Sequence, residues 1–252
     1  MKHLRHLATA AALGLLVTSA RAADPQPIRV ALYDDAGAAG KGVPRVTELL
    51  GKTTDVKVTK VKGKEIADGV LKDFDVVIFT GGSGHAEADA VGEKGREEVR
   101  QFVRGGGGYV GICAGAYLAC SGFSWGVGVL NAKTVSSKWR RGVGDVQIEG
   151  TPLAQETVGL AAEPRGIRYA NGPIITHDTR EDLPAFEPLA HFRTELAENG
   201  SPVGAMVNSP AMVRAACGQG RVIISSPHPE QTEGLDGFVE QAVRWVAGRK
   251  KL

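Results

Sequence analysis

Three residue types that together perform acyl transfer, a cysteine, a histidine and a glutamate, stand in unusual settings in this chain. Cys113 lies within Gly111-Ile112-Cys113-Ala114-Gly115-Ala116-Tyr117, where an apolar run ends and a helical pattern begins at Ala114. Small neighbours let a nucleophile sit on a sharp strand-to-helix turn, and the positive end of the following helix favours thiolate over thiol. Ser225-Ser226-Pro227-His228-Pro229-Glu230 supplies a base and its orienting acid. His228 would take and return a proton, while Glu230 holds the second ring nitrogen. Attack on a carbonyl builds negative charge on oxygen, and a Gly-rich turn lets backbone amides approach that charge closely. Phe79-Thr80-Gly81-Gly82-Ser83-Gly84 is such a turn, so the amides of Gly82 and Ala114 are the expected oxyanion-hole donors. Its glycine spacing is not the dinucleotide-binding fingerprint.

Each of these residues also has a plainer reading. A lone cysteine is more often an inert core residue, and a lone histidine or glutamate a surface or helix-start side chain. The flanking glycines and the strand-to-helix setting reverse that reading for Cys113, and the elbow then supports His228 and Glu230. Cys120 and Cys217 lack such a setting and read as core. His85, beside the Gly-rich turn, can line a pocket; His177 and His191 read as packed or surface residues. Trp125, Trp139, Arg140 and Arg141 read as a packed or solvated loop in preference to a substrate entrance. No pair of histidines or cysteines has metal-ligand spacing, so no metal is expected.

These residues come from segments that must share one edge of a sheet. Ile28 to Tyr33, Val56 to Val61, Val76 to Phe79 and Tyr109 to Ile112 are short apolar runs ended by turn residues, the habit of strands buried on both faces of a parallel sheet. Helical patterns fall between them near Val43 to Leu50, before the Gly105–Gly108 stop, and at Leu235 to Val246. Alternating strands and helices imply βαβ units, with the carboxyl ends of the strands on one rim. Residues from about Trp125 to Pro173, Gly-rich and polar, read as a hairpin or loop insertion beside the sheet. Ala211 to Ala215 and Arg221 to Ile224 flank Gly218-Gln219-Gly220 as a hairpin. The expected architecture is an α/β, flavodoxin-like three-layer sandwich with a mostly parallel sheet and a β-rich insertion.

The chain has 252 residues, 42% of them apolar, which sustains one sizeable core. Its 30 basic and 28 acidic residues include no basic run, so a nucleic-acid surface is not expected. Lys2 and Arg5 precede an apolar run from Leu7 to Val17 that closes at Ala20-Arg21-Ala22, the pattern of a cleaved secretory signal. The run is shorter than the ~20 residues a membrane span needs. Residues 1–22 are thus expected to be removed, leaving residues 23–252 as one domain that is exported to the periplasm or secreted, with no membrane span.

Thr80-Gly81-Gly82, the Cys113 elbow and His228-Pro229-Glu230 together resemble the class I glutamine amidotransferase-like superfamily. Ile112-Cys113-Ala114-Gly115-Ala116-Tyr117, Tyr169-Ala170-Asn171-Gly172-Pro173 and Gly220-Arg221-Val222 leading into Pro227 to Glu230 are most similar to the amidotransferase-like domain at the N-terminus of biotin-protein ligases. The resemblance implies a flavodoxin-like fold, with Cys113 as nucleophile, His228 as base and Glu230 as orienting acid. It also implies that Gly81, Tyr117 and Asn171 contact substrate, and that no cofactor is needed. A protease-like branch of the superfamily carries a histidine after the elbow cysteine, where this chain has Ala114. The leading expectation is therefore a thiol-dependent amide hydrolase or amidotransferase-like protein working through a thioester, on a small-molecule or peptide amide such as a γ-glutamyl bond. The alternative is a non-catalytic binding module on the same fold.

Overall fold

The computed structural model describes residues 26–249, so the expected signal segment lies outside the described residues. In chain order the first half runs β1 (Ile28–Tyr33), α1 (Gly42–Gly51), β2 (Val56–Val61), α2 (Gly63–Ala67), β3 (Val76–Phe79), α3 (Gly84–Arg104), β4 (Gly108–Ile112) and α4 (Ala114–Ala119). The second half runs β5 (Ala132–Thr134), β6 (Val143–Gly150), α5 (Pro152–Val158), β7 (Arg165–Ala170), β8 (Ile175–His177), β9 (Glu187–Phe192), β10 (Pro210–Cys217), β11 (Gly220–Ser225) and α6 (Gly237–Val246). A short 3-10 turn, Pro229–Gln231, lies between β11 and α6.

Nine strands form one sheet in the order β2-β1-β3-β4-β11-β10-β9-β6-β7. The first five are parallel, which fits their continuous apolar sequences; β3 and β4 are buried at every position. Side chains alternate between two cores. Val30, Leu32, Ile78 and Val110 face α1 and α6, meeting Val46, Leu50, Phe238 and Val243. Ala31, Tyr33, Val77, Phe79 and Tyr109 face α3 and α4, meeting Val99, Val103 and Leu118. Burying one such aliphatic side chain contributes about 1.5–3 kcal/mol, so both faces hold the central strands in register. Tyr33, Phe79 and Tyr109 stack as a ladder across three strands, with ring centroids 4.9 and 5.7 Å apart.

The other four strands join antiparallel, beginning with the expected β10–β11 hairpin, which turns at Gly218 (φ 59°). The insertion differs from expectation. Rather than lying beside the sheet, β6 and β7 extend it, with β6 pairing onto β9 from Ile148↔Phe192 to Gly150↔Ala190. The edge of β9 would otherwise present unpaired backbone groups, and β6 covers it. Among the described residues only β5 and β8 form a separate two-stranded sheet. Helix α3 also starts earlier than the apolar spacing indicates, because Ser83 caps it by accepting from the Ala86 N–H and a break at Gly92 (φ 69°) interrupts the periodicity.

Candidate active site

The parallel half of the sheet places three loops together. β3, β4 and β11 are adjacent, with Phe79 opposite Gly111 and Ser225 opposite Ile112. The segments that leave their carboxyl ends, Thr80–Ser83, Cys113 and Ser226–Glu230, therefore emerge side by side. The Cys113 N–H donates to the Ser225 carbonyl at 2.8 Å, which joins the first residue after β4 to the last of β11.

Cys113 adopts φ 53°, ψ −97° before α4, a conformation that side chains with a Cβ rarely take. The small residues around it are required by contact. A Cβ on Gly111 would come within 2.5 Å of the Gly115 carbonyl oxygen, and one on Gly115 within 2.3 Å of the Phe79 carbonyl oxygen. The Cys113 sulfur lies 3.4 Å from the carbonyl oxygen of Ala170, at the end of β7.

His228 is 5% exposed and Glu230 fully buried. Nδ1 of His228 meets Oε1 of Glu230 at 2.8 Å, which leaves the other ring nitrogen for the sulfur side. Burial alone would lower the His228 pKa, but hydrogen bonds with Cys113 and Glu230 outweigh it and raise the group to about 10. The backbone is fixed as well, since the His228 N–H donates to Arg168 at 2.8 Å. Gln231, absent from the sequence expectation, donates from Nε2 to Oε1 of Glu230 at 2.8 Å. Its only signal in the sequence is adjacency to Glu230, which is too common to single it out.

Gly81 and Gly82 form the third wall. The Gly81 carbonyl accepts from Ala39 and the Ser83 N–H donates to Gly37, each at 2.9 Å. This pattern brackets Gly82, whose own N–H, like that of Ala114, has no hydrogen-bond partner among the described residues. Gly82 has φ 150°, and a Cβ there would stand 1.9 Å from the Gly37 carbonyl oxygen. Gly81 lies against the histidine, where a Cβ would be 2.7 Å from Cε1 of His228.

A cavity of about 280 Å³ opens beside Cys113, with Gly82, Tyr117 and Asn171 in its lining. Gly81, expected to contact substrate, is not part of that lining; it packs behind, on the imidazole. Trp125 and Trp139 line the cavity, which corrects their reading as an ordinary loop. Arg140 instead stacks over the Trp139 ring at 4.9 Å, and Arg141 is buried, bound to the Leu196 and Pro202 carbonyls. His85 also lines the cavity, while His177 stacks on Phe186 with ring centroids 3.9 Å apart. Cys120 and Cys217 are fully buried, and burial raises both thiols, that of Cys120 to about 12. Among the described residues no three His, Cys, Asp or Glu side chains are grouped as a metal site.

Residues 28–139 match the family described as biotin-protein ligase, N terminal. No curated protein matches the chain at a significant level. Among solved structures, a glutamine amidotransferase aligns with 21% identity and a TM-score of 0.57, over 86% of this chain and 98% of that one. A ThuA-like protein from Bacteroides uniformis aligns with 19% identity and a TM-score of 0.59, over 88% of this chain and 93% of that one. PurLQS from Thermotoga maritima gives 17% identity and a TM-score of 0.55, over 88% and 98% of the two chains. At these identities the likeness is one of fold.

Proposed function

We propose that this chain, a class I glutamine amidotransferase-like fold with a biotin-protein ligase N-terminal match over residues 28–139, is a thiol-dependent amide hydrolase. The observation that carries the reading is the strained Cys113 turn beside a buried histidine that hydrogen-bonds Glu230 and whose pKa Cys113 and Glu230 together raise. A packed, inert cysteine needs neither the unfavourable backbone angles nor a buried imidazole with its own carboxylate.

The proton rests on His228 before reaction, because that ring is raised to about 10. The Cys113 sulfur attacks the amide carbonyl, forming a C–S bond. The amides of Gly82 and Ala114 receive the oxyanion, each donor contributing roughly 3 kcal/mol to the barrier reduction. His228 then gives its proton to the departing nitrogen as the C–N bond breaks, leaving a thioester. Water, deprotonated by His228, hydrolyses the thioester to the acid and restores the sulfur. Glu230 holds the ring orientation throughout, and Gln231 holds Glu230. We further propose that the protein works after export, as the Leu7 to Val17 run and its Ala20-Arg21-Ala22 exit favour.

The test is mass spectrometry of the intact protein after exposure to cell-envelope extract and rapid acid quench. An acyl adduct on Cys113, absent from Cys113→Ala, is expected. Cys113→Ala should abolish turnover, and His228→Ala should reduce it by on the order of 10⁴-fold, with circular dichroism unchanged in both. Full activity in Cys113→Ala against any hydrolysed amide would reject the mechanism. Ligand binding without any adduct would favour the binding-module alternative.

A further inference from the structure

The walls of the cavity identify the chemistry of the group it takes. Beside the sulfur they are aromatic, formed by Tyr117, Phe123, Trp125 and Trp139. Phe123 and Trp125 stack with ring centroids 4.6 Å apart, and Tyr117 packs on Phe123 at 6.0 Å. Among the described residues no Asp, Glu, Lys or Arg side chain lines the space. The one histidine in the lining, His85, is taken up by Asp89 at 3.0 Å and by the edge of Trp125. The Tyr117 hydroxyl is likewise engaged, donating to the Asn171 carbonyl at 3.0 Å.

An amino-acid head group carries an ammonium and a carboxylate, each needing a charged or multiply hydrogen-bonded partner once removed from water. The lining has hydroxyl and amide side chains, Ser83, Thr134, Ser136, Ser137 and Asn171, that can hydrogen-bond, but no carboxylate to meet the ammonium and no lysine or arginine to meet the carboxylate. An aromatic ring, in contrast, finds offset and edge contacts on such walls. The mouth continues the same character. Among the described residues five large apolar side chains are 36% exposed or more; Trp139 is in the lining, Val135 lies in sequence between two lining residues, and Val143 is paired in register with the lining residue Ala170. Scattered exposed apolar residues mean little, but clustered at a cavity mouth they mark a binding surface.

The cavity also lies on a defined side of the reacting bond. His228 must reach the departing nitrogen, yet it is not part of the lining. The nitrogen therefore leaves toward the buried imidazole, and the cavity receives the group attached to the carbonyl carbon.

We propose that the acyl site takes an uncharged, flat apolar group, so that the substrate class is the amide of an aromatic carboxylic acid and not a glutamine-type amide. The reaction, R–CO–NH₂ plus water giving R–COOH plus ammonia, rests on the thioester reading of Cys113; the binding preference does not.

Binding and turnover are therefore measured separately. Phenylacetamide, acetamide and L-glutamine are titrated by calorimetry into Cys113→Ala, and ammonia release is followed with the wild-type protein. Phenylacetamide should bind at least tenfold more tightly than either other amide, and Trp125→Ala in the same background should weaken it tenfold or more. Trp125 is half-buried at the rim, and circular dichroism checks that its removal leaves the fold intact. Phenylacetamide bound by Cys113→Ala but not hydrolysed by the wild type would support the pocket assignment and count against the hydrolase. Glutamine hydrolysed by the wild type, with phenylacetamide unbound, would overturn the pocket assignment while the hydrolase stands. Equal affinity for all three amides, no measurable binding of phenylacetamide, or indifference to Trp125→Ala would also overturn it.

Discussion

At the scale of single residues, the site depends on an imidazole that holds its proton in a buried place. Burial opposes that charge, and the hydrogen bonds with Cys113 and Glu230 reverse the outcome, raising His228 to about 10. Its contribution to stability is complete below the ordinary histidine value of 6.5 and is lost as pH rises through about 10. Glu230→Gln keeps the shape and an acceptor oxygen but removes the charge, so the ring should titrate nearer 6.5. Ring carbon and nitrogen shifts followed by NMR across pH 5–11 measure this directly. The wild-type ring should still be cationic at pH 8 and the variant ring should lose its proton at lower pH than the wild type; a neutral wild-type ring at pH 8 contradicts the assignment. These residues were legible in the sequence because their meaning is local: an elbow flanked by glycines, and a His-Pro-Glu triplet. Gln231 was not, since its role comes only from where Glu230 points.

Among the elements, the end of β7 matters more than its length suggests. Asn171 sits at φ 56°, with Oδ1 accepting from the Gly142 N–H at 2.9 Å and its carbonyl accepting from Tyr117. Through it the Ala170 carbonyl is held 3.4 Å from the sulfur. Asn171→Gly loses the side-chain bond alone, at about 1 kcal/mol. Asn171→Ala loses the bond and adds about 1–2 kcal/mol of left-handed strain. Urea midpoints should therefore rank wild type above Gly and Gly above Ala. Both variants should also alter the rate at which iodoacetamide labels Cys113, which a merely structural turn would not do. Equal midpoints for the two variants would remove the strain argument. The sequence marked the Asn171 stretch by resemblance, but it hid the reason, because β6 joins the main sheet only through a partner about forty residues away at β9. Pairings of that range leave no periodic trace in the chain. The central parallel strands were readable for the opposite reason, since their burial on both faces is written as uninterrupted apolar runs.

For the molecule as a whole, stability is tied to a group the proposed chemistry does not use. Glu87, in the first turn of α3, is fully buried among the residues beneath the Gly37 and Ser83 loops, and neither carboxylate oxygen has a hydrogen-bond partner among the described residues. Nothing in the sequence distinguishes it from the solvated glutamates further along the helix, Glu93 and Glu97. Burial raises its pKa well above the ordinary 4.5, so in the pH interval between the two values it is a neutral acid in the folded protein and a carboxylate once unfolded. Unfolding above pH 4.5 then releases a proton, and stability declines by about 1.4 kcal/mol per pH unit until the folded group itself ionises. Loss of the His228 proton acts in the same direction at higher pH. Glu87→Gln retains the shape without the titration. Any cost of burying the amide is constant with pH, so the slope isolates the effect. Between pH 5 and 6.5 the stability of the wild type, read from denaturation midpoints, should decline relative to that of Glu87→Gln, because the His191 and His228 titrations are common to both proteins. Parallel curves for the two proteins would mean that Glu87 is ionised in the fold and that its carboxylate has found a compensating partner.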